Sequence, residues 1–344
     1  MNNLLKQKNA FMNKILDNKT LIKLISLCLL MLMSGLMALS FGPADISTPQ
    51  LLSCLMTHCN NQITEIVVWQ VRTPRVLVAM TAGMGLAIAG AILQNTTRNP
   101  LADPYLFGIV SGAGLGATVA NISLADNLTI ALPLAAFLGA LTSVVIVLFI
   151  AKLLKRIEQL LLAGVAVSFM LGSITQFILY FGDPYATNRV IFWLMGSLAR
   201  VEMSNFYVIS SILIIVVFII FAFHRQIDAL LLGDESAASL GVNVDKLRLL
   251  MLGICAALTA VIVAYCGGIG FVGLMIPHIV RQLIGVTTLK LILGSALIGA
   301  IFLIWVDVIA RSSLPNAEIP IGIITSAVGS LFFLFILYRT RLTA

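Results

Sequence analysis

The residues that could carry out chemistry in this sequence are few, and their spacing completes no catalytic motif. The stretch "GGIGFVG" gives Gly268, Gly270 and Gly273 the GxGxxG spacing of a dinucleotide-binding loop. That loop must follow a β-strand and open a helix, whereas long apolar runs flank this one. Ser111 and His278 could be imagined as a hydrolase pair, but no GxSxG elbow or third partner accompanies them. The GxxxxGK(S/T) pattern of an ATP-binding loop is also absent. We therefore expect no catalytic residue, no cofactor and no enzyme activity.

Cys54, His58 and Cys59 lie together in one short loop. Two sulfurs and one imidazole leave zinc without its usual fourth ligand, so no metal site is predicted. A disulfide would require this loop to face an oxidising compartment. The sequence leaves the pairing of Cys54 with Cys59 open.

Arg72 and Arg75 in "VWQVRTPRVL", and Arg311 farther along the chain, are basic residues at the ends of apolar runs. Two interpretations stand beside each other. The side chains could reach up to lipid phosphates, or they could form a basic patch that receives an acidic partner or solute.

The elements that must position these residues are predicted to be transmembrane helices. The chain is 60% hydrophobic and only 10% charged, whereas soluble domains carry about 25% charged residues. Apolar runs of about 18 or more residues can cross a hydrocarbon core about 30 Å thick, and in lipid such runs must be helical. The fold class is therefore all-α, a polytopic membrane protein with about ten transmembrane helices. We place the spans at 23–41, 66–93, 106–122, 129–151, 159–181, 205–223, 248–266, 271–284, 289–309 and 320–338.

The distribution of charge predicts the orientation of these spans. We expect residues 1–22 to form a cytoplasmic N-terminal segment and residues 23–344 to form a single transmembrane domain, with the C-terminus also cytoplasmic. This orientation puts most of the 21 Lys and Arg residues inside, as the positive-inside rule requires. The first apolar run has spanning length and a long basic lead, so it is expected to be retained rather than cleaved. The net charge of +7 then needs no nucleic acid as a partner.

The stretch "RNPLADP" (98–104) interrupts the apolar pattern between the second and third spans. Proline removes a backbone donor and restricts the residue before it, so Asn99-Pro100 and Asp103-Pro104 end the preceding helix. We predict a rigid cytoplasmic turn. Because a mere turn rarely needs two prolines, Asn99 and a pair between Arg98 and Asp103, the stretch is also interpreted as a defined cytoplasmic surface.

A second polar segment, about 224–247, lies between the sixth and seventh spans. Asp234, Glu235 and Ser236 are favourable in the first turn of a helix, and Gly241 suits a left-handed stop. We predict a short helix under the membrane. It is either an interfacial linker or a docking element for a cytoplasmic partner.

Eight stretches, in this order, resemble one family. They are "RTPRVL", "GLAIAGAILQ", "RNPLADPYLFGIVSGAGLGA", "LLLAGVAVS", "FWLMGSLA", "LGDESAASLGVNV", "GGIGFVGLMIPHIVR" and "AEIPIGIITSAVGSLFF". The chain is similar to the FecCD-type permease subunits of type II ABC importers for iron-siderophore, haem and cobalamin. The resemblance covers roughly residues 60–340.

The resemblance implies an architecture and partners. Such permeases form homodimers, or pairs of homologous permeases, in the bacterial cytoplasmic membrane. Two cytoplasmic ABC ATPase subunits lie below them, and a periplasmic or lipoprotein solute-binding protein docks above. Ferric siderophore or haem is the first expected cargo, cobalamin the next, and molybdate-type oxyanions an alternative.

The resemblance also assigns roles to residues. Arg72, Arg75 and Arg311 match arginines that meet the binding protein, and Asn99 and Leu101 match a cytoplasmic gate. In one respect the chain departs from some relatives, because Ile157-Glu158 stands where they place small hydroxyl residues. The segment that couples the permease to the ATPase corresponds here to Gly233, Asp234, Glu235, Ser236, Ala237, Ala238, Ser239, Leu240 and Gly241.

An ion-coupled secondary transporter is the rival function class. Such proteins place carboxylates near the bilayer midplane. The nearest candidate here is Asp307, which lies at the outer end of its predicted span.

Overall fold

The computed structural model describes residues 17–44, 46–56, 59, 61–123, 128–154, 157–315 and 317–343. Within these ranges the chain is built from helices, and an isolated bridge between Leu314 and Ala317 stands apart from them. The all-α prediction is confirmed. The predicted N-terminal segment 1–22 lies largely outside the described residues, and its last five residues belong to the first helix.

The helices are numbered in chain order. They are α1 (Asn18–Ala38), α2 (Thr48–Met56), α3 (Gln62–Glu65), α4 (Thr73–Thr97), α5 (Ile109–Ser123), α6 (Leu128–Leu154), α7 (Ile157–Tyr180), α8 (Pro184–Leu194), α9 (Met203–Leu230), α10 (Asp234–Ser239), α11 (Val244–Cys266), α12 (Val272–Leu283), α13 (Thr288–Ser312) and α14 (Ile321–Thr343).

Eight helical stretches of the described chain are long and apolar enough to cross a membrane. They correspond to eight of the ten predicted spans. The other two predicted spans, 106–122 and 271–284, are shorter helices: α5 has 15 residues and α12 has 12. At about 1.5 Å per residue, α12 is about 18 Å long and reaches only part of the way across a hydrocarbon core.

Helix α4 is the centre of the bundle. It is continuous with α3 through a π-helical stretch, Ile66–Arg72, and it packs against α9, α11, α12 and α13. Close approach requires glycine where α12 meets α4, because a Cβ at Gly90 would collide with the backbone of Gly273. Small residues at helix contacts are typical of membrane bundles, where tight packing replaces hydrophobic association.

The half-length helix α12 is entered through an irregular stretch. Gly267 has φ +70°, and a Cβ there would collide with the carbonyl of Trp193. Ile269 N donates to Tyr105 Oη at 2.8 Å, which ties the stretch to the 3-10 turn Pro104–Phe107. Helix α12 then begins beside Gly90, about two helical turns before the end of α4. The glycine pattern that mimics a dinucleotide loop is thus a connection between membrane helices.

Two ends of the bundle carry the charged residues. Arg75 lies at the start of α4 and Arg98 follows its end, about 35 Å apart along the helix axis. We call these ends the Arg75 face and the Asp234 face, after the residues that organise each one.

Candidate functional sites at the two ends of the bundle

An ion-pair cluster lies at the Arg75 face. Arg75 Nε lies 2.7 Å from Asp307 Oδ1. Its two terminal nitrogens donate to the two carboxylate oxygens of Glu318 at 2.8 and 2.9 Å. This two-pronged geometry is the strong form of an arginine–carboxylate pair. The cluster joins α4 to α13 and to the connection that precedes α14.

Arg311 and Arg72 complete this cluster. Arg311 Nη2 donates to Ala38 O at 2.9 Å. Its Nε lies 3.3 Å from Asp307 Oδ2, close enough for attraction, although the two atoms are not aligned as a hydrogen bond. Arg72 donates to Leu39 O at 2.7 Å and to the carbonyl of Ala44. All three guanidinium groups therefore contact their own chain.

The three arginines are buried, with Arg72 at 2%, Arg75 at 5% and Arg311 at 3% exposure. The sequence pattern left open a side chain that reaches lipid phosphates and a basic patch that receives an acidic partner or solute. The burial of the three arginines, which the sequence pattern does not show, does not fit the first of these. Their role in docking a binding protein stays a prediction. Of the two carboxylates, Glu318 is the accessible one, with its side chain 36% exposed against 1% for Asp307.

A disulfide joins Cys54 and Cys59 near the same face. The two residues belong to the segment between α1 and α3, which leads into Arg72 and Arg75. The pairing that the sequence left open is thus made. His58 lies outside the described residues.

A cavity of about 600 Å³ opens at the end of α5 that is remote from the Asn99 turn. Its wall combines the aromatic rings of Phe177 and Phe181 with the charged side chains of Asp183 and Arg189. Asn121 also lines it and donates to Ala186 O at 2.8 Å. The cavity offers an apolar wall with a charged rim.

The predicted turn after α4 is present. Helix α4 ends at Thr97, and Arg98 adopts the left-handed conformation with φ 51°, which is a common way to end a helix. Leu101 N donates to Asn99 Oδ1 at 2.9 Å, so the asparagine side chain closes the turn. Leu101 is 58% exposed at its tip. The gating role of Asn99 and Leu101 stays a prediction.

The predicted pair between Arg98 and Asp103 is wrong. Asp103 turns away and caps the 3-10 turn, accepting from Tyr105 N at 2.8 Å. It is 3% exposed, and its Oδ2 faces Gly273 without a hydrogen-bond partner in the structure as described. Burial raises the pKa of Asp103 to about 6. Its position five residues after Arg98 was misleading, because the side chain of Asp103 is used to cap the 3-10 turn that follows it.

Arg98 instead pairs with the first residue of α10. Its Nη2 lies 2.9 Å from Asp234 Oδ1. The same carboxylate accepts from Arg248 Nη2 at 3.1 and 3.3 Å, and Arg248 Nε donates to Thr96 O at 3.2 Å. The role of Arg248 was not predicted. No motif spacing indicates it, because Arg248 lies on α11 and its partner Asp234 lies on the preceding helix, α10.

The predicted short helix between the sixth and seventh spans is α10. Gly233 precedes it with φ +111° and Gly241 follows it with φ +82°, so the predicted glycine stop is present. The polar connection is shorter than expected, because α9 continues to Leu230. Ala237 is buried against the bundle, whereas the side chains exposed to solvent are those of Glu235, Ser236, Ala238, Ser239 and Leu240.

A second polar contact at this end was also not predicted. Arg281 on α12 donates to Gln94 Oε1 and, at 3.0 Å, to Asn95 Oδ1. Gln94 Nε2 in turn donates to Gly273 O at 2.9 Å. These bonds fasten both ends of α12 to the last turns of α4. Ile157 and Glu158, where the sequence departs from some relatives, have side chains outside the described part of the chain.

Comparison with known proteins gives concordant matches. The model of the FecCD transport family matches residues 29–339. The cobalamin import permease BtuC of Halobacterium salinarum is 38% identical over 278 residues, 80% of this chain and 74% of the relative. The Fe(3+)-citrate import permease YfmE of Bacillus subtilis is 35% identical over 323 residues, 93% of this chain and 96% of the relative. A solved metal-chelate type ABC transporter, in an inward-facing conformation, superposes with a TM-score of 0.82 at 31% identity, covering 92% of this chain and 98% of that one.

Proposed function

Because the chain belongs to the FecCD transport family, we propose that it is the permease subunit of an ATP-driven importer that moves a chelated metal compound across the cytoplasmic membrane. The observation that carries this proposal is a bundle of membrane-length helices with one short, solvent-exposed helix, α10, at one end. A separate ATPase subunit would hydrolyse ATP, and the permease would convert the movement of that subunit into opening and closing.

The proposed orientation puts the Asp234 face in the cytoplasm, together with both termini. The positive-inside pattern supports this. The pairing of Cys54 with Cys59 at the Arg75 face fits this orientation, because a disulfide persists in an oxidising compartment. The Arg75 face would then meet the periplasmic or lipoprotein binding protein.

We assign the coupling to the ATPase to Gly233–Gly241. The exposed side chains of Ala238 and Leu240, with Ser239 between them, offer a small and mostly apolar surface for a groove on a partner. Two such subunits, as a homodimer or a pair of homologous permeases, would present two of these helices to two ATPases.

We assign binding-protein docking to Arg72, Arg75 and Arg311. Since these guanidinium groups already have partners in their own chain, docking would require an acidic group of the binding protein to replace one of those partners. A carboxylate of the binding protein would replace Glu318, the most exposed acidic member of the cluster. Asn99 and Leu101 would narrow the cytoplasmic exit, where the tip of their turn is exposed.

The similar transporters support the cargo class that we propose. Cobalamin, ferric citrate and a metal chelate are all metal complexes with organic ligands. We propose a ferric siderophore or haem first and cobalamin next, with molybdate-type oxyanions as the alternative within the importer class.

Uptake by reconstituted vesicles tests this function against an ion-coupled secondary transporter. The chain would be co-expressed with the ATPase and the binding protein that co-purify with it. Trapped ATP should support uptake, and a protonophore should leave that uptake unchanged. Uptake that persists without ATP and collapses with the protonophore would establish the secondary transporter instead. Mass spectrometry of the ligand carried by the co-purified binding protein would identify the cargo.

A further inference from the structure

The two segments assigned to coupling and gating meet at one carboxylate. Asp234 is the first residue of α10, and its side chain accepts from two arginines on two different long helices. Arg98 follows the last residue of α4, and Arg248 lies in the second turn of α11.

Arg98 also begins the turn that contains Asn99 and Leu101. Its left-handed backbone fixes the direction in which the chain leaves α4. A displacement of Asp234 therefore acts directly on the residue from which this turn departs. The other arginine holds the opposite side, because Arg248 Nε is bonded to Thr96 O on the same last turn of α4.

The exposure of this cluster suits a moving part. The side chains of Arg98 and Asp234 are 40% and 41% exposed, and that of Arg248 is 11% exposed. Water screens exposed ion pairs, so these side chains can change position together without the cost of unpairing a buried charge. Two arginines on one carboxylate nevertheless fix its position relative to both helices.

We propose that Asp234 is a positioning residue that transmits movement of α10 to the Asn99–Leu101 turn through Arg98, with Arg248 as the fixed support on α11. This inference rests on the proposed function, in which α10 receives movement from an ATPase. It adds a physical connection between the receiving helix and the exit turn.

The transport test compares the neutral variants Asp234→Asn and Arg98→Gln with the wild-type complex in vesicles. Both should keep ATP hydrolysis while transported cargo per ATP falls at least about fivefold, the low end of typical coupling between sites. Asp234→Glu, which keeps the charge, should recover most of the loss. The matched control is Asp245→Asn, since Asp245 is exposed in the first turn of α11 and makes no side-chain bond or ion pair in the described chain.

The outcomes separate the connection from direct contact with the ATPase. If Asp234→Asn uncouples transport and Arg98→Gln does not, then Asp234 acts on the partner and the proposed connection is wrong. Equal losses of hydrolysis and uptake in both variants would likewise reject a transmission role.

A distance measurement tests the same connection without ATP or partners. Spin labels at Leu101→Cys and Ala238→Cys, both on exposed positions, would report how tightly α10 and the turn are held together. The label distance should be narrowly distributed in the parent chain, broader in Asp234→Asn and Arg98→Gln, and unchanged in Asp245→Asn. Unchanged distributions in all variants would overturn the inference, even if the importer function held. If the label distances broaden in the two variants but the parent complex shows no ATP-dependent uptake, the connection through Asp234 stands and the importer function is wrong.

Discussion

The two ends of the helix bundle use the same residue types in opposite ways. At the Arg75 face, Asp307 is 1% exposed between Arg75 and Arg311. At the Asp234 face, Asp234 also lies between two arginines, but its side chain is 41% exposed. Breaking a buried pair leaves an uncompensated charge and is costly, whereas an exposed pair is screened by water. The first cluster therefore holds helices together by buried charge pairs, whereas the pairs of the second cost less to break.

A third carboxylate sharpens the comparison. Asp103 is almost as buried as Asp307, but it has no arginine partner within the structure described. Burial without a partner favours the neutral acid. Comparison of the three aspartates thus separates the effect of burial from the effect of charge pairing. Asp307 and Asp103 are tested by substitution with asparagine, and Asp234 is tested through its partner by Arg98→Gln.

The largest expected effect is that of Asp307→Asn. Arg75 and Arg311 would then face each other in a buried site, so the free energy of unfolding should fall by about 3–5 kcal/mol. Thermal unfolding in detergent measures this. The matched control is Glu318→Gln, whose loss should be clearly smaller because that side chain reaches solvent. Equal losses would show that burial does not distinguish the two carboxylates.

An intermediate effect is expected from Asp103→Asn, and it should depend on pH. The pKa of Asp103 in the folded chain is raised to about 6 from its ordinary value of 3.8. The native state therefore binds the proton more tightly, and this stabilisation is complete below about pH 4 and lost as the pH rises through 6. The free energy of unfolding of Asp103→Asn, relative to that of the parent, should therefore rise by up to about 3 kcal/mol between pH 4 and pH 7. A difference that is constant across this range would show that Asp103 is ionised when folded.

The smallest effect on stability is expected from Arg98→Gln. Its exposed pair with Asp234 should contribute about 0–1 kcal/mol, and less at high ionic strength. Chemical or thermal unfolding at low and high salt measures this contribution. If Arg98→Gln lowered the free energy of unfolding as much as Asp307→Asn, the ion pairs at the Asp234 face would also hold helices firmly together. That result would contradict the proposed movement.

The sequence by itself determined the helical membrane fold and the positions of most elements. An uninterrupted apolar run in lipid must form a helix, because its backbone polar groups have no other hydrogen-bond partners. Prolines indicated the turn at Asn99, and a glycine indicated the end of α10. Those signals are local, so they can be read one segment at a time. The short length of α12 is also such a signal, since the predicted span 271–284 differs from the observed helix by one residue at each end. Where α12 begins, beside Gly90 and next to the bond between Ile269 and Tyr105, could not be read in this way because it depends on contacts between distant segments.

Tertiary structure alone decided which charges meet and which are buried. The sequence pattern favoured a pair between Arg98 and Asp103, which lies five positions later. The partner of Arg98 in the structure is Asp234, which lies 136 residues later. The sequence marked Arg72, Arg75 and Arg311 as basic ends of apolar runs, but their burial depends on Asp307, Glu318 and the carbonyls that follow α1. The physical reason is that pairing energy depends on distance and on exclusion of water. Both quantities exist only when helices that are distant in sequence have packed.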